Sequence, residues 1–220
     1  MSRVRVKIEG LRDAATAQAV AGLGADAIGL VLAPSPRRVE VEQAAAIAAA
    51  LPPGVLTVGV FVNASAEEIN LAARRIGLHY VQLHGDEPPQ LAGELERPCI
   101  KAFAIRDERW AEAVLNWLEQ VPPRHPPVSV LLDAYCPVAR GGTGKTFNWQ
   151  LVAKARQAGR LAAMGPIILA GGLNPSNVRE AIEIAQPWAV DVASGVESSP
   201  GVKDLAAVER FIQAVRDARG

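Results

Sequence analysis

Eight short apolar runs rich in β-branched residues, each followed by a polar or glycine-containing turn and then an alanine-rich segment of helical period, predict a (βα)8 barrel. The 220 residues suit a compact form of that architecture, which typically uses ~250. The runs read as apolar on both faces, as expected where a parallel sheet is covered on both sides. An open doubly wound sheet shares the alternation with fewer strands and stands as the alternative.

In chain order the runs are Val4 to Ile8, Ala27 to Leu32, Leu56 to Phe61, Tyr80 to Leu83, Cys99 to Phe103, Val128 to Leu132, Pro166 to Leu169 and Ala189 to Val192. Between them the helices announce their ends. Ser65-Ala66-Glu67-Glu68 has the pattern of a capping box, in which the serine oxygen accepts from the third helical N–H and the glutamate reaches back. Asn174-Pro175 predicts a cap followed by proline at the first helical position, leading into VREAIEIA. Gly77 and Gly159 follow helical segments where a left-handed closing residue is favoured. The proline-dense stretch VPPRHPP, 121–127, is too short for a domain linker and reads as a stiff connector. No composition break divides the chain, so residues 1–220 are expected to form one barrel domain.

Composition narrows the function classes. Lys plus Arg equal Asp plus Glu at 23 each, which provides no net positive field for nucleic acid or an anionic membrane, and neither is expected as a partner. Two cysteines, Cys99 and Cys136, are too few for a disulfide framework and lack metal-ligand spacing. With no apolar signal core near the N-terminus, a cytoplasmic protein is expected.

A barrel places its chemistry at the C-terminal ends of the strands, and polar residues cluster there. The first run ends in Glu9-Gly10, the second leads to Ala33-Pro34-Ser35-Pro36-Arg37-Arg38, the third to Asn63, the fourth to His84-Gly85-Asp86-Glu87, and the sixth to Asp133. After the last two runs come LAGGLNP (169–175) and DVASGVE (191–197). Glycines there let a phosphate approach backbone N–H groups, the usual phosphate site of this architecture; simple tight turns are the plainer reading of either loop alone, and their joint occurrence after the last two strands favours the phosphate.

Other features keep two readings. Glu9 and Asp133 form a candidate general base and acid facing each other across the mouth, or Glu9 pairs with Lys7 or Arg12 at the rim while Asp133 caps its own loop. His84 either orients its loop or touches substrate. Arg37 and Arg38 are a solvated pair, or one guanidinium grips a carboxylate in bidentate fashion. The glycine-lysine loop at 141–146 fails as a nucleotide-binding P-loop, because Ala139 stands where the first glycine is required; a mobile active-site loop whose Lys145 meets an anion fits better. The four tryptophans read as packing residues.

Taken in order, VKIEG, GADAIGLVLAPSPRRV, VGVFVN, VQLHGDE, LLDAY, GGTGKTFNW, ILAGGLNPSNV and AVDVASGVE resemble the blocks of the phosphoribosylanthranilate isomerase family, from Val4 to about Ile212. The resemblance implies a (βα)8 barrel of tryptophan biosynthesis that carries out an Amadori rearrangement of N-(5'-phosphoribosyl)anthranilate, a small phosphorylated substrate, without cofactor or metal. It implies that Asp133 is the general acid that opens the ribose ring to a Schiff base and that Arg37 contacts the anthranilate carboxylate. It also implies that Gly171, Gly172, Ser194 and Gly195 clamp the phosphate, and that Lys7, Gln82, His84 and Asp191 line the substrate pocket. A monomer or a homodimer is compatible with all of this.

The family pattern breaks at one residue. Its first block reads VKICG, with the cysteine as the general base that removes the C2 proton of the opened sugar; here that position is Glu9. Three readings follow: Glu9 serves as the base with reduced activity, the barrel is a diverged paralogue acting on another phosphorylated sugar, or it binds a sugar phosphate without turnover. Cys136 as a relocated base is disfavoured, since a reactive thiol requires an electropositive setting.

Overall fold

A computed structural model of the chain describes residues 3–122, 129–134 and 146–218. Eight parallel strands close into a barrel in chain order: β1 (Arg5–Glu9), β2 (Ala27–Val31), β3 (Leu56–Phe61), β4 (Tyr80–Leu83), β5 (Cys99–Ile105), β6 (Ser129–Ala134), β7 (Ile167–Leu169) and β8 (Ala189–Val192). Helices α1 (Ala14–Leu23), α2 (Val41–Ala49), α3 (Ala66–Ile76), α4 (Pro89–Ala92), α5 (Trp110–Glu119), α6 (Gln150–Gln157) and α7 (Val178–Ala185) connect successive strands. After β8 a short hairpin, β9 (Glu197–Ser199) with β10 (Val202–Lys203), precedes α8 (Leu205–Asp217). The closed sheet excludes the open doubly wound alternative.

The predicted strand centres all recur, with shifts at the ends. Glu9 and Asp133, expected just past their strands, are still within them, so ladder hydrogen bonds hold their backbones. Residues 123–127 of the connector, 141–145 of the glycine-lysine loop and Cys136 fall outside the described residues. The capping box at Ser65 and Glu68 forms, and Gly77 closes α3 in the left-handed region. Asn174-Pro175 does not start α7. Asn174 instead accepts from the Ser176 N–H at 2.9 Å in a separate turn, and Asn177 stands at the helix start without a side-chain cap. The polar turn takes the expected cap because proline restrains φ but not where the helical ladder begins.

Two apolar layers fill the molecule. In the outer one, Ile8, Leu30, Leu83, Leu132, Leu169 and Phe211 pack between strands and helices. Inside the barrel, Val58, Ile100, Ala102, Leu131, Ile168, Ala170 and Ala189 pack together. The expectation that every strand is apolar on both faces fails at β1. Val6 and Ile8 belong to the outer core, so the period of two sends Arg5, Lys7 and Glu9 inward. At one end Arg5 lies over the Trp188 ring at 4.4 Å, and at the other Lys7 and Glu9 enter the mouth.

Candidate active site

Strand register brings the mouth residues together. Lys7 is level with Asp191 on β8, and Glu9 with Gly29 on β2. A side chain at position 29 would collide with Glu9, whose Cγ is 2.8 Å from where a Cβ would be, so glycine makes room for the longer carboxylate. Lys7 is only 4% exposed and donates to three acceptors: Glu9 Oε2 at 2.7 Å, Gln82 Oε1 at 2.9 Å and Asp191 Oδ1 at 2.9 Å. A buried ammonium demands such partners, and these three match its three protons.

From Lys7 the network crosses the barrel. Because Gln82 Oε1 accepts from Lys7, its amide nitrogen faces His84 Nδ1 at 2.9 Å and Glu9 Oε2 at 3.2 Å. His84 Nδ1 therefore offers its lone pair, which leaves the ring proton on Nε2, 3.1 Å from Asp133 Oδ2. Asp133 Oδ1 accepts from the Ala134 N–H at 2.8 Å. Glu9, His84, Asp133 and Asp191 line one cleft with Gly171, Gly172, Ser194 and Gly195, about 370 Å³ counted to its open mouth.

The charges sort the two carboxylates on Lys7 in opposite directions. Burial works to raise the Glu9 pKa, but the Lys7 ammonium and then His84 outweigh it and hold the carboxyl down to about 2. For Asp191, burial dominates and the neighbouring Glu9 charge adds to it, against the pull of Lys7, so that its pKa is pushed up to about 7. Lys7 loses some proton affinity to burial, yet Asp191 and Glu9 more than restore it. Burial opposes protonation of His84 too, and the hydrogen bond and charge of Asp133 raise its pKa nonetheless.

The two glycine loops meet at the rim. Gly171 and Gly172 adopt φ of +80° and +64°, and Gly195 lies against the Leu173 carbonyl so closely that no side chain fits. Among the described residues, the backbone N–H groups of Gly171, Gly172, Ser194 and Gly195 have no hydrogen-bond acceptor. That leaves donors on residues that line the cleft, an arrangement that suits an anion.

Arg37 packs its side chain against Gly10, just past β1, and is not among the residues that line the cleft. Its Nε and terminal nitrogen form a bidentate pair with Glu197 at 2.9 and 2.7 Å, and Lys203 adds a third contact to Glu197 at 2.8 Å. Burial would raise the Glu197 pKa, but these two cations lower it. Two cations on one carboxylate leave one net positive charge there. The sequence alone presents Glu197 only as the end of a loop and gives no reason to single out Lys203; Pro200-Gly201 between them marks the hairpin turn that brings Lys203 back. Arg38 stays outside, with an exposed contact to Glu40. Cys99 is buried, and burial pushes its thiol up to about 11, against the smaller opposing effect of Lys101, which makes it an inert packing residue. Among the described residues, no group of three or more His, Cys, Asp or Glu side chains could hold a metal, and no helix is long and apolar enough to cross a membrane.

Residues 6–214 match the family model of N-(5'-phosphoribosyl)anthranilate (PRA) isomerase. The N-(5'-phosphoribosyl)anthranilate isomerase of Geobacter sulfurreducens is 50% identical over 215 residues, covering 97% of this chain and 98% of the relative. The crystal structure of phosphoribosyl anthranilate isomerase from Thermotoga maritima superposes with a TM-score of 0.85 at 40% identity, covering 97% of this chain and 98% of that one. A further phosphoribosyl anthranilate isomerase structure, in complex with reduced 1-(o-carboxyphenylamino)-1-deoxyribulose 5-phosphate, has a TM-score of 0.82 at 39% identity, with the same coverage. With its closed barrel, its polar mouth and a match over almost its whole length, the chain belongs to the N-(5'-phosphoribosyl)anthranilate isomerase family.

Proposed function

We propose that the cleft isomerises N-(5'-phosphoribosyl)anthranilate to 1-(2-carboxyphenylamino)-1-deoxyribulose 5-phosphate, a step of tryptophan biosynthesis, with Glu9 as general base and Asp133 as general acid. The observation that carries this assignment is the hydrogen-bonded chain from Glu9 through Gln82 and His84 to Asp133, which sets a carboxylate on either side of one cleft. In the family cysteine's place, Glu9 faces the opened sugar at C2. Asp133 carries the acid's proton, with the His84 Nε2–H orienting its carboxyl, and gives it to the ring oxygen as the ring opens to the Schiff base.

The remaining residues bind and position. The N–H groups of Gly171, Gly172, Ser194 and Gly195 hold the 5'-phosphate. Arg37, kept rigid by Glu197 and left with net positive charge nearby by Lys203, meets the anthranilate carboxylate. Asp191 faces the sugar from the cleft wall, while Gln82, fully buried with both amide atoms engaged, and Lys7, whose protons are engaged, act through Glu9, His84 and Asp191. No cofactor or metal takes part in this scheme.

Glu9 is a weakened base. Its low proton affinity beside Lys7 slows removal of a C–H proton, and a carboxylate longer than cysteine moves the accepting atom, where ~1 Å of misplacement costs about 10²-fold. The test is turnover of freshly prepared substrate by wild type, Glu9→Gln and Glu9→Cys. Wild type is expected to turn over, Glu9→Gln to lose about 10²- to 10⁴-fold and Glu9→Cys to exceed wild type. An inactive wild type with an active Glu9→Cys, or a fully active Glu9→Gln, removes the base role from Glu9.

A further inference from the structure

We infer that Glu9 and Asp191 form one coupled carboxylate pair across Lys7, sharing a single proton that rests on Asp191 and leaves it when Glu9 takes one from the substrate. This rests on the reading of Glu9 as base and adds Asp191 as a second proton-transfer group. The geometry is a mismatch of charge: two buried carboxylates converge on a single ammonium, at 2.7 and 2.9 Å, and one cation cannot neutralise both. A proton on one of the two carboxylates restores the balance around Lys7.

Hydrogen bonding decides which carboxylate receives it. Glu9 Oε2 accepts from both Lys7 and the Gln82 amide, whereas Asp191 has Lys7 as its one donor within hydrogen-bonding distance among the described residues. The better-solvated carboxylate stays ionised, and the poorly solvated one takes the proton. Lys7 and Glu9 face Asp191 from β1; His84, just past β4, and Asp133, on β6, line the same cleft, and the lining residues after β7, Ala170 to Leu173, carry no charge. Lys203, from the hairpin after β8, acts on Glu9. The directions of titration agree, Glu9 low and Asp191 near neutrality.

The exchange balances. In the resting site Glu9 is COO⁻, Asp191 COOH and Lys7 NH3⁺. When Glu9 takes the C2 proton, the C–H electron pair becomes a C1=C2 bond and the Schiff-base π electrons move onto nitrogen. Glu9 is then neutral, Lys7 pairs with Asp191 alone, and the Asp191 proton passes to water at the open mouth. The total charge of the cluster stays constant throughout, which avoids the cost of uncovering Lys7.

The experiment follows the side-chain carboxyl of Asp191 by NMR in protein carrying 13C-labelled aspartate, assigned with Asp191→Asn and titrated from about pH 4 to about pH 9. Asp191 is expected to titrate near neutrality in wild type and to fall toward the ordinary carboxylate range in Glu9→Gln, because Lys7 then serves it alone. Titration in the ordinary range in wild type, or a midpoint that ignores Glu9→Gln, overturns the coupling. A second arm measures kcat against pH for Asp191→Asn, with a loss of about 10²-fold and of the wild-type dependence near neutrality expected. A loss confined to KM, with the pH profile kept, reduces Asp191 to a binding residue. Should Glu9→Gln retain full turnover while the NMR coupling holds, the base assignment fails and the shared proton survives.

Discussion

The barrel buries two lysines to nearly the same extent, Lys7 on β1 at 4% exposure and Lys101 on β5 at 3%, and uses them differently. Lys101 points out of the barrel, toward Phe103 and Trp117. It donates to the Gly85 carbonyl at 2.7 Å and to Glu87 at 2.8 Å, while Glu87 collects N–H groups from Asn63 and Gly85 and the Trp117 indole binds the Glu87 carbonyl. Among the described residues Lys101 forms its ion pair with one carboxylate, whose oxygens are satisfied, beneath the loop that follows His84. Lys7 points inward and must serve two carboxylates. A balanced buried pair fixes a loop, and an unbalanced one keeps a proton in play.

The largest expected effect breaks the comparison on the catalytic side. Asp133→Asn leaves the His84 contact in place but removes the ionisable group, and kcat is expected to fall about 10³- to 10⁴-fold in a turnover assay, with stability changed by less than about 1 kcal/mol. Lys101→Met should do the reverse. It strands Glu87 without its cation and is expected to cost about 3–5 kcal/mol in chemical denaturation, while the folded fraction keeps its kcat within a few-fold. If Lys101→Met lowers kcat as much as Asp133→Asn does, the division between structural and functional lysine is wrong.

A pH dependence separates the two networks more finely. Asp191 binds its proton more tightly folded than unfolded, so its contribution to stability is complete below the ordinary carboxylate range and is lost as pH rises through about 7. Glu9 has the opposite sign, with stability present above the ordinary range and lost as pH falls toward about 2. Thermal melts should show stability decreasing from mildly acidic to mildly alkaline pH in wild type and in Lys101→Met, with the decrease flattened in Asp191→Asn. The smallest effect belongs to Trp117→Phe, which removes the 3.0 Å indole bond to Glu87 and should cost about 1 kcal/mol without altering the pH profile.

Much of this was legible in the chain itself. The period of the apolar runs marked all eight strands, and Ser65 with Glu68 and Gly77 marked the ends of α3, because local hydrogen bonds and backbone sterics decide them. The rule that barrel chemistry follows the strands located Glu9, His84, Asp133 and the two glycine loops, which do line one cleft. Asn174-Pro175 misled because a good cap residue also makes a good turn.

The amino-acid sequence alone thus determined the architecture, the family resemblance and the replacement of a thiol by Glu9, all of which depend on residue type and spacing along the chain. Only the tertiary structure decided what Glu9 touches. Lys7 and Asp191 are 184 positions apart, and Lys7 and Gln82 75 apart, and closure of the barrel sets their inward-facing side chains around one ammonium. The pairing of Arg37 with Glu197 has the same origin, across 160 positions. Proton affinities follow from those distances and from burial, and neither exists until the strands close.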